Sequence, residues 1–515
     1  MRSSLQKAKI WDEHVGLIVL RALSIAIMMV LLLALGRSIV VLREGGFGKL
    51  GLYLLGAIIG AMIIALLVVL RRDEIAITIV FAIHIYIDWY LGLHIVSVVT
   101  ALTLLMVFCL ARSSEHPWTE PRTLWLWLAY LGLSLFPAIR GATNAYDAAY
   151  YYPNIVFGAL ILFWLGTVLA RDRASIRRCF QALAILGSLL AVHTLFQAAT
   201  GRVLLGSSAS QTFLEAKSFY QLTGSDAHRI GSFFIDPNWN GDFFAIMVFI
   251  PLALLVETSS LPAKLLYLVE MSLTLLALLF TYSTGSWIAT FAGLLVFVVL
   301  VGRASYRVLL LTLIGLAAVA IVLYFPTQIA LQLRHASAPA EVSLRVGAWE
   351  TALRVISAYP LTGVGLGLNA YGLSAEPFRV PAQYVALAHP HDSYLELAAM
   401  GGLPVLALFL ALLLCNVWFA FRNWLKSDIP TRALLGGGIA IIVTLSVNSI
   451  SINGWTLPPL AAIGWLILGL ISSPLLTKSL VGVSHDESGS YRASTRFIAP
   501  SKPTKNTATT ISSSS

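Results

Sequence analysis

Apolar runs separated by short polar connections make up most of this chain. Runs of roughly 20 residues recur near 15–35, 50–70, 75–93, 95–111, 123–139, 154–170, 179–199, 239–256, 261–281, 285–301, 308–325, 393–421, 432–450 and 456–472. That is the length a helix needs to cross the hydrocarbon core, whereas the alternating ten-residue segments of a membrane barrel are missing. The pattern predicts an all-α, polytopic transmembrane protein of about 12–14 helices. The first run, behind Arg2, Lys7 and Lys9, is longer than the apolar stretch of a leader peptide and reads as a membrane helix. No internal repeat is visible.

Two long polar stretches interrupt the runs, and they divide the chain. Residues 1–200 carry the N-terminal transmembrane helices, 201–238 a first loop, and 239–325 further membrane helices. Residues 326–392 form a large loop with short helices, 393–475 the C-terminal membrane helices, and 476–515 a Ser/Thr-rich tail expected to be disordered. Positive charge then sets the topology. Arg71–Arg72, Arg112 to Arg122, Arg171 to Arg178, Lys264, Arg303 to Arg307, Arg422 to Lys426 and the tail all share one side. Basic loops stay cytoplasmic, so both termini are expected inside, with Arg37, Arg43 and Lys49 as the exception. Both long loops and the turn at 282–285 then face outward.

Composition narrows the class. Of 515 residues, 58% are hydrophobic and only 11% charged, with a mean hydropathy of +0.84. A soluble domain is nearer one quarter charged. The net charge of +10 fits cytoplasmic loops, and no nucleic-acid-binding motif accompanies it. The three cysteines, Cys109, Cys179 and Cys415, show no metal-ligand spacing.

Because charge is scarce, its placement in the outer loops carries information. Arg229 precedes Asp236-Pro237-Asn238 at the mouth of a helix, where a guanidinium fork could hold a phosphate bidentately. The alternative is an interfacial arginine that snorkels to headgroups or pairs with Asp226 or Asp236. Ser343 to Ser357 reads as an amphipathic helix, with Arg345 at its start, where free N–H groups also favour an anion. Gly363, Gly365 and Gly367 follow, which would let backbone approach a bulky ligand or a neighbouring helix. Then comes His389-Pro390-His391-Asp392, immediately before an apolar run that Asp392 or Ser393 could cap. Either histidine could accept a hydroxyl proton as a general base, or merely bond to backbone. A metal reading is weak, because two imidazoles and a carboxylate this close seldom suit one ion. Glu396 lies one turn below Asp392 and leans toward the same place. Arg21, His84, Asp88, His193, Glu257 and Glu270 fall inside apolar runs, where ionisable groups are expensive.

In order, these blocks resemble the bacterial O-antigen ligase and polymerase family. The matching pieces are Arg229-Ile-Gly with Asp236-Pro-Asn, Tyr282-Ser-Thr-Gly-Ser, Arg345 to Trp349 leading into Tyr359-Pro-Leu-Thr-Gly-Val-Gly-Leu-Gly, and His391-Asp-Ser-Tyr-Leu-Glu. They cover about residues 225–415. The resemblance implies a metal-independent membrane glycosyltransferase of cell-envelope polysaccharide biosynthesis, without a cofactor, on the outer face of the bacterial inner membrane. Its donor would be a glycan on a polyprenyl diphosphate such as undecaprenyl diphosphate. Its acceptor would be a hydroxyl of a lipid, protein or glycan, or, for a polymerase, the growing carrier-linked chain. By position Arg229 and Arg345 match the arginines that hold the diphosphate, and His391 matches the activating histidine, with His389 one slip away. Asn238, Asp392 and Glu396 would support them. The family often carries an arginine where Trp287 stands, so Arg379, Arg334 or Arg140 would replace it. Asp392 stands where the family has Asn, which would orient the imidazole more strongly. A transporter is the reading from a different class, kept alive by Glu270 and the His84/Asp88 pair, but the polar chemistry gathers in outer loops rather than at the membrane midplane.

Overall fold

A computed structural model describes residues 119–143, 147, 151–203, 218–221, 228–301, 339–380 and 389–476, with single positions at 81, 323, 326 and 330. Apart from those positions, the expected spans near 15–35, 50–70, 75–93, 95–111 and 308–325 lie outside the described residues. Arg21, His84, Asp88, Arg334 and the tail lie outside them too. Among the described residues nine helices are long and apolar enough to cross a membrane. They are α1 (Leu124–Gly141), α2 (Tyr151–Leu169), α3 (Arg173–Thr200), α4 (Pro237–Glu257), α5 (Leu261–Thr281), α6 (Thr284–Val301), α10 (Leu403–Lys426), α11 (Ile429–Asn448) and α12 (Pro458–Leu476). Three further helices lie between α6 and α10 among the described residues: α7 (Pro339–Ala358), α8 (Leu368–Ala375) and α9 (Ser393–Gly401). The chain is a helical, multi-pass membrane protein.

Local chemistry sets the helix ends. Asp172, Asp236 and Asp428 cap α3, α4 and α11 by accepting the N–H of Ser175, Asn238 and Thr431. Proline occupies the first turn of α4, α5, α10, α11 and α12, where its missing N–H leaves no helical bond unmade. Helices α2 and α12 form the interior and bury nearly all their residues. Gly166 and Gly469 let their backbones meet, the small-residue device of membrane helix pairs. An aromatic knot of Trp127, Phe163, Trp455, Trp465 and Phe409 fills the space between α1, α2, α10 and α12. By contrast α5 and α6 turn Leu265, Leu266, Val269, Ile288 and Phe291 outward, as lipid-facing helices do.

The two ends of the bundle differ. At one end Arg173 and Arg177 converge on the buried Glu257 carboxylate at 2.6 and 3.6 Å, and Arg173 also reaches Asp428 at 3.8 Å. Arg122, Arg422 and Arg432 belong to helix termini at that same end. The other end is capped by the loops that hold the candidate chemistry. A two-stranded antiparallel ribbon there, β1 (Phe219–Gln221) with β2 (His228–Ile230), was not anticipated from sequence. Its three-residue strands are too short to show a period.

Two expectations need correction. The run near 393–421 is not one helix, because Gly402 takes φ +87° and separates α9 from α10. The amphipathic helix begins at Pro339 rather than Ser343, so Arg345 sits in its second turn and gains no open helix N-terminus. The glycine run proves to be a helix-packing device. Leu366 N–H donates to Pro137 O of α1 at 2.8 Å, and a Cβ on Gly365 would stand 2.8 Å from the Gly141 backbone. Val364 and Gly365 donate to Ala399 O and Met400 O, which docks the loop on the last turn of α9.

Gly402→Ala is therefore expected to destabilise the fold by about 2 kcal/mol, since its φ is left-handed and a Cβ would stand 2.5 Å from Leu361 O. Gly132→Ala in α1, where nothing lies within 4 Å, should be neutral or slightly stabilising. Thermal unfolding of both variants in detergent checks the pair.

Candidate active site

His389 and His391 stand just before α9. Asp392 caps that helix, its Oδ1 accepting the N–H of Tyr394 at 2.8 Å and of Leu395 at 2.9 Å. That oxygen caps the helix, a role worth about 1 kcal/mol. His391 holds φ +52°, a left-handed conformation costing an L-residue about 1–2 kcal/mol. Such strain persists only where the surroundings fix it, and it gathers at functional sites.

The surroundings here are specific. The rings of His389 and His391 lie with centroids 4.0 Å apart. His389 Nδ1 accepts the backbone N–H of His391 at 3.3 Å and lies 2.9 Å from Asn453 Nδ2. A backbone N–H can only donate, so Nδ1 carries a lone pair and the ring's proton sits on Nε2, an assignment made from the bonding network. The same Asn453 Nδ2 donates to Glu396 Oε2 at 2.9 Å, while Tyr151 Oη donates to Glu396 Oε1 at 2.8 Å. Glu396 Oε2 lies 4.0 Å from His389 Nδ1.

Burial shapes the protonation of this cluster. It pushes Glu396 up to about 7, against the pull of the Tyr151 and Asn453 bonds. It also raises Asp392, against its two N–H donors. Burial first and the neighbouring His391 second hold His389 well below the usual imidazole value.

The arginines reach the same end of the bundle from other elements. Arg229, on β2, donates from Nε to Thr281 O at 3.1 Å and from Nη2 to Asn238 Oδ1 at 2.5 Å. It is thus tied to the start of α4 through Asn238 and to the end of α5 through Thr281. Below the ribbon, Gln197 accepts Ser232 N–H at 3.0 Å and donates to Ser218 Oγ at 2.6 Å, and His193 Nδ1 meets Ser232 Oγ at 2.6 Å. His193 is therefore part of the ribbon's mounting. Arg345, on α7, stands within Coulombic reach of Asp242, a fully buried carboxylate that accepts from Ser286 Oγ at 2.7 Å and from Asn448 Nδ2. Arg379 pairs with Glu376 at 2.7 Å, and both Arg379 and Glu396 act through charge on the Tyr371 hydroxyl. Arg140 is taken by the glycine loop, donating to Gly363 O at 3.0 Å and lying over the Tyr359 ring.

What joins these groups is the last residue of α11 and its connection to α12, residues 448–457, which the sequence did not single out. Asn448 fastens it to Asp242, Asn453 to His389 and Glu396, and Ser449 O accepts the N–H of Ser393 at 2.9 Å. A polar Asn-Ser-Ile-Ser-Ile-Asn-Gly-Trp-Thr break between two apolar runs was the available signal. Tyr151 gave no such signal, being one aromatic among many.

Residues 271–410 match the O-antigen ligase family model. This segment is similar to the O-antigen ligases. The resemblance read from the sequence is borne out over that stretch, and an O-antigen ligase-like role in glycan biosynthesis follows from it. The match includes Arg345, Arg379, both histidines and Glu396, while Arg229, Tyr151 and Asn453 lie outside it. No curated protein matches the chain.

Glu396 provides a pH test. Its pKa is raised on folding, so the native state binds more protons than the unfolded chain between about 4.5 and 7. Its contribution to stability is full below about 4.5 and is lost as pH rises through 7. His389 works oppositely, since its lowered pKa costs stability as pH falls below about 6.5. Glu396→Gln removes the first effect alone. The difference in unfolding midpoint between Glu396→Gln and the parent should grow in favour of the variant from pH 4.5 to 7, and a difference that stays flat would count against a buried, neutralised Glu396.

Proposed function

We propose that this protein transfers a glycan from a polyprenyl diphosphate carrier to an acceptor hydroxyl on the outer face of the bacterial inner membrane. The observation that carries the reading is the gathering of His389, His391, Glu396, Arg229 and Arg345 at the bundle end opposite the basic Arg173–Arg177–Glu257 end. Basic helix termini favour the cytoplasmic side, which supports reading the candidate site as outer and the termini as inner. Residues 271–410, similar to O-antigen ligases, supply the family context.

The roles follow from chemistry. His391 takes the proton of the acceptor hydroxyl as its oxygen attacks the anomeric carbon of the donor sugar. The bond from that carbon to the phosphate oxygen breaks, and the diphosphate leaves with the electron pair, inverting the centre. Arg345 and Arg229 stabilise the negative charge that grows on the leaving diphosphate, with Arg379 the reserve cation. His389 is the less suitable base, because its Nδ1 already receives two N–H donors and its Nε2 holds the proton. A positioned base contributes about 10²–10⁴-fold in rate.

The test is a reconstituted assay in lipid with a polyprenyl-diphosphate glycan and a panel of acceptors. His391→Ala is expected to lose at least about 10²-fold in turnover and Arg345→Ala a comparable amount, with both variants inserting normally in the membrane. Glycan moving from the carrier to a lipid or protein identifies a ligase, and longer glycan remaining on the carrier identifies a polymerase. Full activity in both variants would remove these residues from the mechanism.

A further inference from the structure

The pair of histidines poses a problem that the transfer reaction alone does not solve. With ring centroids 4.0 Å apart, two imidazoles cannot both carry charge cheaply in a buried setting. A base that must accept a proton is hindered by a neighbour that is already protonated. His389 is that neighbour, its side chain only 13% exposed.

The chain supplies a device from three distant places. Tyr151 begins α2, Glu396 lies in the first turn of α9, and Asn453 belongs to the α11–α12 connection. Tyr151 Oη–H donates to Glu396 Oε1, which fixes the carboxylate from one side. In its ionised form Glu396 accepts from Asn453 at Oε2 and so dictates which way that amide faces, because the opposite orientation would set the amide oxygen against the carboxylate. The Asn453 NH2 group, held in this sense, also donates to His389 Nδ1. The His391 backbone N–H, directed by its left-handed φ, donates to the same atom. Nδ1 therefore remains an acceptor. The titratable groups around the device are His391 beside the ring, Glu396 at 4.0 Å, and Asp392 and Tyr371, which act on Glu396 through charge or are acted on by it.

Resting on the transferase reading above, we propose that Tyr151, Glu396 and Asn453 form a relay that holds His389 in its uncharged Nε2–H form, so that His391 accepts the acceptor's proton without facing a second positive charge. Tyr151, Glu396 and Asn453 are positioning residues in this scheme. They touch His389 or one another and have no need to touch substrate. The relay adds no bond-making step, and the transferred proton still ends on His391.

The decisive experiment reads the tautomer directly. Full-length protein with ¹⁵N-labelled histidine, in lipid nanodiscs, is examined by NMR, with His389→Gln identifying the His389 signals. The parent should show His389 with bare Nδ1 and protonated Nε2, neutral at pH 7. In Asn453→Asp a carboxylate replaces the donor, so Nδ1 should gain a proton and His389 should become charged at the same pH. In the transfer assay this variant should lose at least tenfold in kcat, with the KM for carrier-linked glycan little changed. Tyr151→Phe, which removes only the outermost donor, should show a smaller loss. A parent His389 protonated on Nδ1, or an Asn453→Asp spectrum unchanged from the parent, overturns the relay. A shifted tautomer with unaltered kcat overturns its link to His391. The spectroscopic arm needs no substrate, so a failure of the transferase reading registers only in the assay.

Discussion

A polar loop set into the end of an apolar bundle must satisfy its own donors and acceptors, because lipid offers none. The connection between α11 and α12 answers this constraint partly within itself and partly by bonds to neighbouring elements. Asn448 reaches the buried Asp242 on α4, Asn453 reaches Glu396 and His389, and the Ser449 carbonyl holds Ser393. Each of these bonds crosses between elements far apart in sequence. Satisfying the loop and assembling the site are thus one physical act. Removing any single partner would leave a buried polar atom unpaired, at a cost of about 1–3 kcal/mol.

Much of this architecture was legible in the chain itself. Run length alone gave the membrane helices, and each of the nine in the structure overlaps an expected run. The scarcity of charge pointed to Arg229, Arg345 and the two histidines, because a charge near lipid is placed at a cost. The polar end-group chemistry was harder. Asp392 could be read as a cap, and it is one. Arg345 appeared to open a helix, yet the helix starts earlier at Pro339 and takes that advantage away. Gly402 ends α9 where hydropathy shows an unbroken run, since a hydropathy average does not register one residue's φ.

What stayed hidden shares a cause. Tyr151, Asn453 and Asp242 draw their meaning from partners 245, 57 or 206 positions away in the chain. Periodicity, capping and charge counting all operate within a few turns of a helix, so no local rule brings Tyr151 to Glu396. The strained residues behave alike. Ser232, Ile235, Tyr282 and His391 have positive φ, and all four stand in connections at the site end of the bundle. Their sequence neighbours do not demand it. The packing of several elements over one bundle end does.

The division between the family-like segment and its supports bears on how such proteins can change. Residues 271–410 hold both histidines and Arg345, yet the groups that orient His389 and seat Arg229 come from α2, α4 and the α11–α12 connection. That segment is not a transplantable cassette. Moved into another helical bundle, it would carry its imidazoles but leave behind the amide and phenol that tell one of them where to keep its proton. The proposed chemistry therefore binds the flanking helices to the segment, while lipid-facing sides such as those of α5 and α6 carry no such tie.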